Sequence, residues 1–236
     1  MQRLKQNVQE MLDISLSSEQ LEAFEIFSRE LALWNQRISL TTISDPDEVR
    51  NKHFQDSLSC WLALRGTRVD RVIDVGSGAG FPGLPLKILH PHTHLTLVES
   101  VGKKAAFLEH MVQVLGLSGV EVLNERVEDI GQEKEHRELY DWALARALAP
   151  MPTLAEYLFP LVRLGGFVLA QKGPAAPMEL ENAENSISIL GGGNPQLIKV
   201  NLPNIDETRY LVISEKIKST PEKYPRRVGM PAKRPL

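Results

Sequence analysis

Through the first quarter of the chain, apolar residues recur at helical spacing; after that, short β-branched runs take over. Leu21, Phe24, Phe27, Leu31 and Trp34 fall on one helical face. Ser17, with Gln20 three residues on, has the pattern of a capping box at its start. Asp45-Pro46-Asp47-Glu48 reads as a second start: a cap at Asp45, proline in the first helical position and acids in the first turn. That helix presents Val49, Phe54, Leu58, Trp61 and Leu62 before Gly66 stops it. From residue 70, apolar runs at 71–75, 95–99, 120–123, 142–145 and 166–171 alternate with helical stretches at 103–115 and 153–164 that end in glycine. This rhythm predicts βαβ units and a parallel sheet. Two last runs, 196–201 and 210–217, joined by Pro203-Asn204, predict an antiparallel edge pair. Gly191-Gly192-Gly193-Asn194-Pro195 marks a loop, and prolines at 221, 225, 231 and 235 argue against a regular helix over 218–236. The expected fold class is α/β, a doubly wound, Rossmann-like, mostly parallel sheet. A helical extension (1–66) precedes the main domain (67–217), and a basic tail (218–236) follows it.

Composition narrows the setting. With 236 residues, 42% hydrophobic and 24% charged, the chain can build one large domain with an appendage. No apolar run approaches the ~18 residues of a membrane span, and the polar start is unlike a signal peptide. The single cysteine, Cys60, excludes an internal disulfide and a multi-thiolate metal site, and reads as a small buried hydrophobe. A soluble cytoplasmic protein is expected. The formal charge of −3 hides an asymmetry: residues 216–236 carry seven cations against Glu222, a net of +6, so the preceding 215 residues sum to −9. An acidic body with a basic arm suggests a handle for a polyanion.

The most informative stretch is Val72-Ile73-Asp74-Val75-Gly76-Ser77-Gly78-Ala79-Gly80-Phe81-Pro82-Gly83. A strand ends in a glycine-rich turn, and a helix is expected to open near Pro82. Glycines let the backbone approach a ligand closely, and amides at the helix start suit a polar or anionic group. In doubly wound folds this is where nucleotides bind. Gly78, Gly80 and Gly83 fit the dinucleotide fingerprint, with Glu99 as the ribose acid. However, Gly76-x-Gly78-x-Gly80 also fits, with Asp74 two residues before it. Acids at Asp74 and Glu99, followed by Glu128 and Asp129, would repel a pyrophosphate. They suit S-adenosylmethionine, which carries a sulfonium, an amino group and a ribose diol.

If methyl transfer is the reaction, its acceptor can be narrowed. The fourth strand ends Leu144-Ala145-Arg146-Ala147-Leu148-Ala149-Pro150, without the Asn-Pro-Pro-aromatic motif of exocyclic-amine methylases. Cys60 has no neighbouring proline, which argues against a pyrimidine-C5 thiolate mechanism. What remains is an acceptor already nucleophilic, such as a ring nitrogen. In-line positioning then suffices without a general base. His90, His92 and His94 precede the second strand as an exposed loop, and no metal site is expected. His53, Asp56 and Ser57 stand too close on one helix to form a nucleophilic relay and read as a capping or surface network.

Together these residues resemble the small-subunit ribosomal RNA guanine-N7 methyltransferase family, RsmG, also called glucose-inhibited division protein B. The resemblance runs from about Leu31 to the C-terminus. It includes Trp34-Asn35, Leu40-Thr41-Thr42-Ile43 (with Ser39 where the family has Asn), His53-x-x-Asp56-Ser57-Leu58 and the glycine loop through Leu86. It continues with Glu99-Ser100, Lys103-Lys104, Phe107-Leu108, Arg126-Val127-Glu128, Ala145-Arg146-Ala147 and Lys172-Gly173, and closes on Arg226 through Leu236. It implies a seven-stranded fold using S-adenosylmethionine, and a target at guanine N7 in the 530 loop of 16S rRNA, position 527. By motif, the cofactor contacts are Gly76, Phe81, Glu99, Ser100, Val101, Val127, Glu128 and Arg146; Asp74 and Gly78 join them from the loop argument. Arg146 is the expected catalytic residue, facing cofactor and substrate, with its guanidinium on a phosphate or on guanine O6. His53 and Asp56 become pocket-wall candidates. Arg226, Arg227, Lys233 and Arg234 are expected on rRNA phosphates. The expected partner is 16S rRNA, the small subunit or its precursor, with no membrane, and the protein acts as a monomer. The alternatives are an NAD(P)-linked oxidoreductase, a non-catalytic rRNA-binding or assembly protein, and a small-molecule methyltransferase.

Overall fold

The computed structural model describes every residue except Ser44, Asn204 and Asp206. Seven strands form one sheet: β1 (Arg71–Val75), β2 (His94–Val98), β3 (Val120–Leu123), β4 (Tyr140–Arg146), β5 (Val162–Lys172), β6 (Gln196–Val200) and β7 (Arg209–Glu215). Their spatial order is β3-β2-β1-β4-β5-β7-β6. Strands β1 to β5 pair in parallel, and β7 runs antiparallel to both β5 and β6. The edge pair is therefore as expected, although its Pro203-Asn204 connection reaches Asn204, outside the described residues. Four of the five residues of β1 and all but the last of β4 are buried. Continuous burial of this kind is what a sheet covered on both faces imposes on its central strands.

One face of the sheet shares its core with the N-terminal helices. Leu4 and Val8 of the helix Gln2–Leu12, and Phe24, Phe27 and Leu31 of the helix Ser18–Asn35, pack with Val72, Leu95, Leu97 and Leu144. The extension thus has no core separate from the sheet. The Ser17 capping box forms with both of its bonds, and Gln20 Nε2 also donates to the carbonyls of Ile88 and Leu89. The opposite face holds a second core around Val75, Tyr140, Leu154, Phe159 and Tyr224.

Three expectations change. The helix at 153–164 stops early: Met151–Leu158 is helical and Val162 already begins β5. Pro160 has no N–H for the helical ladder, and the apolar run around it suits either period. The single helix over 45–66 is broken into Pro46–Glu48, a wide π-type turn at Val49–Gln55, Asp56–Ser59 and Trp61–Leu64. Asp45 does cap it, its carboxylate accepting the Asp47 and Glu48 N–H groups. Finally, the last segment contains one short helix, Met230–Lys233, entered through Gly229 at φ 76 with a proline in its first turn.

Candidate active site

Because β1 lies between β2 and β4, the loops leaving β1 and β4 diverge and open a crevice at the carboxyl edge of the sheet. The glycine turn after β1 forms its floor. A Cβ on Gly83 would stand 2.7 Å from Leu97 and 2.8 Å from Asp74 Oδ2, so only glycine lets the helix Gly83–Leu89 start there. Asp74 does not face the crevice. It is fully buried beneath the turn, Oδ2 accepting the Gly83 N–H at 2.9 Å while Oδ1 is buried without a partner. Through Oδ2 the carboxylate of Asp74 braces the turn. Burial pushes its carboxyl up to about 7. An acid whose folded pKa lies above its unfolded value loses stability as pH rises between the two, so from about pH 4 to 7 Asp74 weakens the fold. Relative to the wild type, Asp74→Asn should gain ~1–3 kcal/mol in urea denaturation on going from pH 5 to pH 8; a pH-independent difference would refute a buried, titrating Asp74.

Glu99, at the end of β2, joins two loops: Oε2 accepts the Gly78 N–H and Oε1 the Val101 N–H. The Asn124 amide donates to its carbonyl. Beside it lies a small cleft of about 80 Å³ lined by Val75, Gly76, Ser100, Val127, Glu128 and Leu148, among others. The structure thus gathers Gly76, Gly78, Glu99, Ser100, Val101, Val127 and Glu128 at one site. Two wall residues went unmarked in the sequence. Leu148 lies over Gly76, where a Cβ would meet its Cδ1 at 2.7 Å, and the residue before it, Ala147, holds φ 52. Tyr157, from the helix Met151–Leu158, is pushed up to about 12 by burial and the nearby Glu128. Neither carries a motif signal, since a lone leucine or tyrosine in an apolar run reads as core.

Arg146 ends β4 with its side chain only 16% exposed. Its guanidinium is occupied by the broken helical segment. Nη2 donates to the Lys52 carbonyl (2.8 Å) and to His53 Nδ1 (3.0 Å) and lies 3.3 Å from Asp56 Oδ2; Nη1 donates to Ser57 Oγ (3.3 Å) and the His53 carbonyl (3.5 Å). Phe81 lies below, 5.7 Å from the guanidinium carbon, stacked on His53 and on Phe27. The expected surface network of His53, Asp56 and Ser57 is instead a buried socket for Arg146. Burial and then the Arg146 charge lower His53 to about 3, so its ring is neutral at physiological pH. Burial raises Asp56 while Arg146 opposes the rise. Gln171, paired with Arg146 across β4 and β5, donates to the Asp56 carbonyl.

The basic tail is a docked strap. Arg137 donates to the carbonyls of Thr220, Pro221 and Tyr224, and Tyr224 enters the second core. Gly229 N–H donates to Glu128 Oε1, bringing the strap to the cleft wall. Arg226 is no free cation: Nε and Nη2 bind both oxygens of the fully buried Glu156. Lys216 is likewise buried on Glu138 and the Phe159 carbonyl. Arg227, Lys233 and Arg234 are exposed. Cys60 is buried, as expected. His90 donates to or accepts from Thr93 Oγ1, and among the described residues no group of three His, Cys, Asp or Glu side chains is placed to hold a metal. Nor is any described helix long and apolar enough to cross a membrane.

Residues 20–206 match the family described as GidB, rRNA small subunit methyltransferase G. A ribosomal RNA small subunit methyltransferase G from Roseiflexus castenholzii is 51% identical over 94% of both chains. The protein of that name from Desulforamulus reducens is 43% identical over 99% of this chain and 97% of its own. Among solved structures, a SAM-dependent O-methyltransferase from Thermotoga maritima superposes with a TM-score of 0.51, covering 81% of this chain and 72% of its own at 16% identity, a likeness of fold.

Proposed function

This chain belongs to the rRNA small subunit methyltransferase G family, and from that premise we propose that it methylates N7 of a guanine in the 530 loop of 16S rRNA, position 527, acting as a cytoplasmic monomer. The observation that carries the cofactor reading is the acidic rim of the crevice, with Glu99 tying the glycine turn to the next loop and Glu128 in the cleft wall. Membership of a methyltransferase family sets aside the oxidoreductase reading. The rim carboxylates suit the hydroxyls and amines of a nucleoside. Each Glu99 oxygen holds one N–H and keeps a second acceptor position for a ribose hydroxyl. Val127 and Glu128, in the cleft wall, would hold the nucleoside, with Leu148 beside them lying over Gly76. S-adenosylmethionine, when bound, supplies a methyl group activated by a sulfonium.

The residues of this chain position and exclude. Arg146, at the end of β4 beside the crevice, is a fixed planar donor that orients the acceptor base through O6, the acceptor beside N7 on the same edge; because positive charge passes from sulfur to the base, its part is positioning. Guanine N7 has a free lone pair and needs no proton removed, so alignment replaces a general base. Reaching N7 requires an unstacked base, which favours a loop over a duplex. Arg227, Lys233 and Arg234 are left to hold phosphates. With labelled S-adenosylmethionine and small-subunit rRNA or subunits from cells lacking the enzyme, the expected product is 7-methylguanosine at a single loop site. Label in any other nucleoside, or none on either substrate, would overturn the reading.

A further inference from the structure

The Arg146 socket is anchored from outside the sheet domain. Asn35, at the end of the helix Ser18–Asn35, grips the 40–41 loop: its Oδ1 accepts the Leu40 and Thr41 N–H groups, and its Nδ2 donates to the Thr41 carbonyl. Thr41 Oγ1, which accepts the Ile43 N–H, lies 2.8 Å from His53 Nε2. His53 Nδ1 in turn lies 3.0 Å from Arg146 Nη2. An arginine has only donors, so Nδ1 must accept, and the neutral ring carries its proton on Nε2, donated to Thr41. The ring plane is fixed by stacking on Phe81, centroids 4.5 Å apart at 22°. The wide turn at Val49–Gln55 aims the Lys52 and His53 carbonyls at the same guanidinium; such turns recur at functional sites.

We propose that His53, held in one orientation by Thr41, is a positioning residue for Arg146, so that Thr41, His53, Asp56 and Ser57 of the N-terminal extension complete the methyl-transfer site. This rests on the reading that Arg146 serves methyl transfer. It gives the His53-x-x-Asp56-Ser57 motif and the Thr41 loop one purpose: a guanidinium at a strand end has several rotamers, and the chain Asn35–Thr41–His53 selects one. Asp56 and Ser57 complete the socket, but neither reports the tautomer-specific contact that His53 makes.

The test measures single-turnover methyl transfer to small-subunit rRNA at saturating S-adenosylmethionine, with cofactor Kd and Tm recorded alongside. His53→Leu should slow transfer by ~30–100-fold, the scale of an ångström-level misplacement, with Kd changed less than about threefold. His53→Asn puts an oxygen where Nδ1 stood, and should restore transfer to within about fivefold of wild type. The His53→Leu, Arg146→Ala double variant should be no slower than Arg146→Ala alone. Should His53→Leu fail to fold, Thr41→Val probes the same chain, with a ~5–10-fold loss that Thr41→Ser recovers. Wild-type transfer in His53→Leu beside a crippled Arg146→Ala overturns this proposal alone. So does an Asn variant as slow as the Leu variant, or a Thr41→Val variant at wild-type rate. Wild-type transfer in Arg146→Ala overturns the reading beneath it.

Discussion

Arg146→Ala lowers single-turnover methyl transfer by about 10²-fold, the scale for losing ångström-level alignment of the acceptor with the methyl group. The side chain is held by two carbonyls, His53 Nδ1, Ser57 Oγ and the Asp56 carboxylate, so its guanidinium is aimed before any substrate arrives. Alanine also leaves Asp56 buried without its cation, and that carboxyl then moves further upward, because Arg146 is the largest influence opposing its burial. Arg146→Lys does not rescue. An ammonium is a point charge on a flexible stem and cannot span the acceptors a planar fork reaches. The check is the single-turnover rate measured together with cofactor Kd and Tm. A rate within threefold of wild type in the alanine variant refutes a role for Arg146 in methyl transfer, and one in the lysine variant refutes the need for its planar fork.

Arg226→Ala destabilises the protein by about 3 kcal/mol. The loss follows from removing one partner of an ion pair whose carboxylate, Glu156, is fully enclosed. Such a loss ordinarily costs ~3–5 kcal/mol, and the partial exposure of Arg226 places it at the low end. Changing Arg227, Lys233 and Arg234 together to alanine has the opposite profile. Stability holds, RNA affinity drops, and the magnitude of the logarithmic salt slope decreases by up to about 2–3, as expected for three lost phosphate contacts. Urea denaturation and RNA binding at several salt concentrations separate the two. An Arg226→Ala protein with full stability and a flattened salt slope would return Arg226 to the RNA-facing set.

Different parts of the molecule were legible to different degrees. The glycine turn, the Ser17 cap, the strand runs and the acids after the second and third strands could be read because each is local. Turn chemistry, capping and period-two patterning are set by residues within a few positions of one another. The docking of the tail was not legible. Prolines and cations look alike whether solvated or docked, and the groups that hold the strap are Arg137, Glu128 and Glu156, some 70–100 residues earlier. The bond Asp74 makes to its own loop was not legible for a related reason: its partner N–H is nine residues on, at Gly83.

By itself, then, the sequence determined a doubly wound α/β fold, a nucleotide crevice with an acidic rim at its switch point, and the family whose motifs run from residue 31 to the end. Tertiary structure alone decided which charges are free and which are spent. Arg146 and His53 are 93 residues apart in the chain and share two hydrogen bonds, and no local pattern encodes a contact of that range. A side chain's chemistry depends on its partners and its burial, and both are fixed only when the sheet and the N-terminal helices close around it.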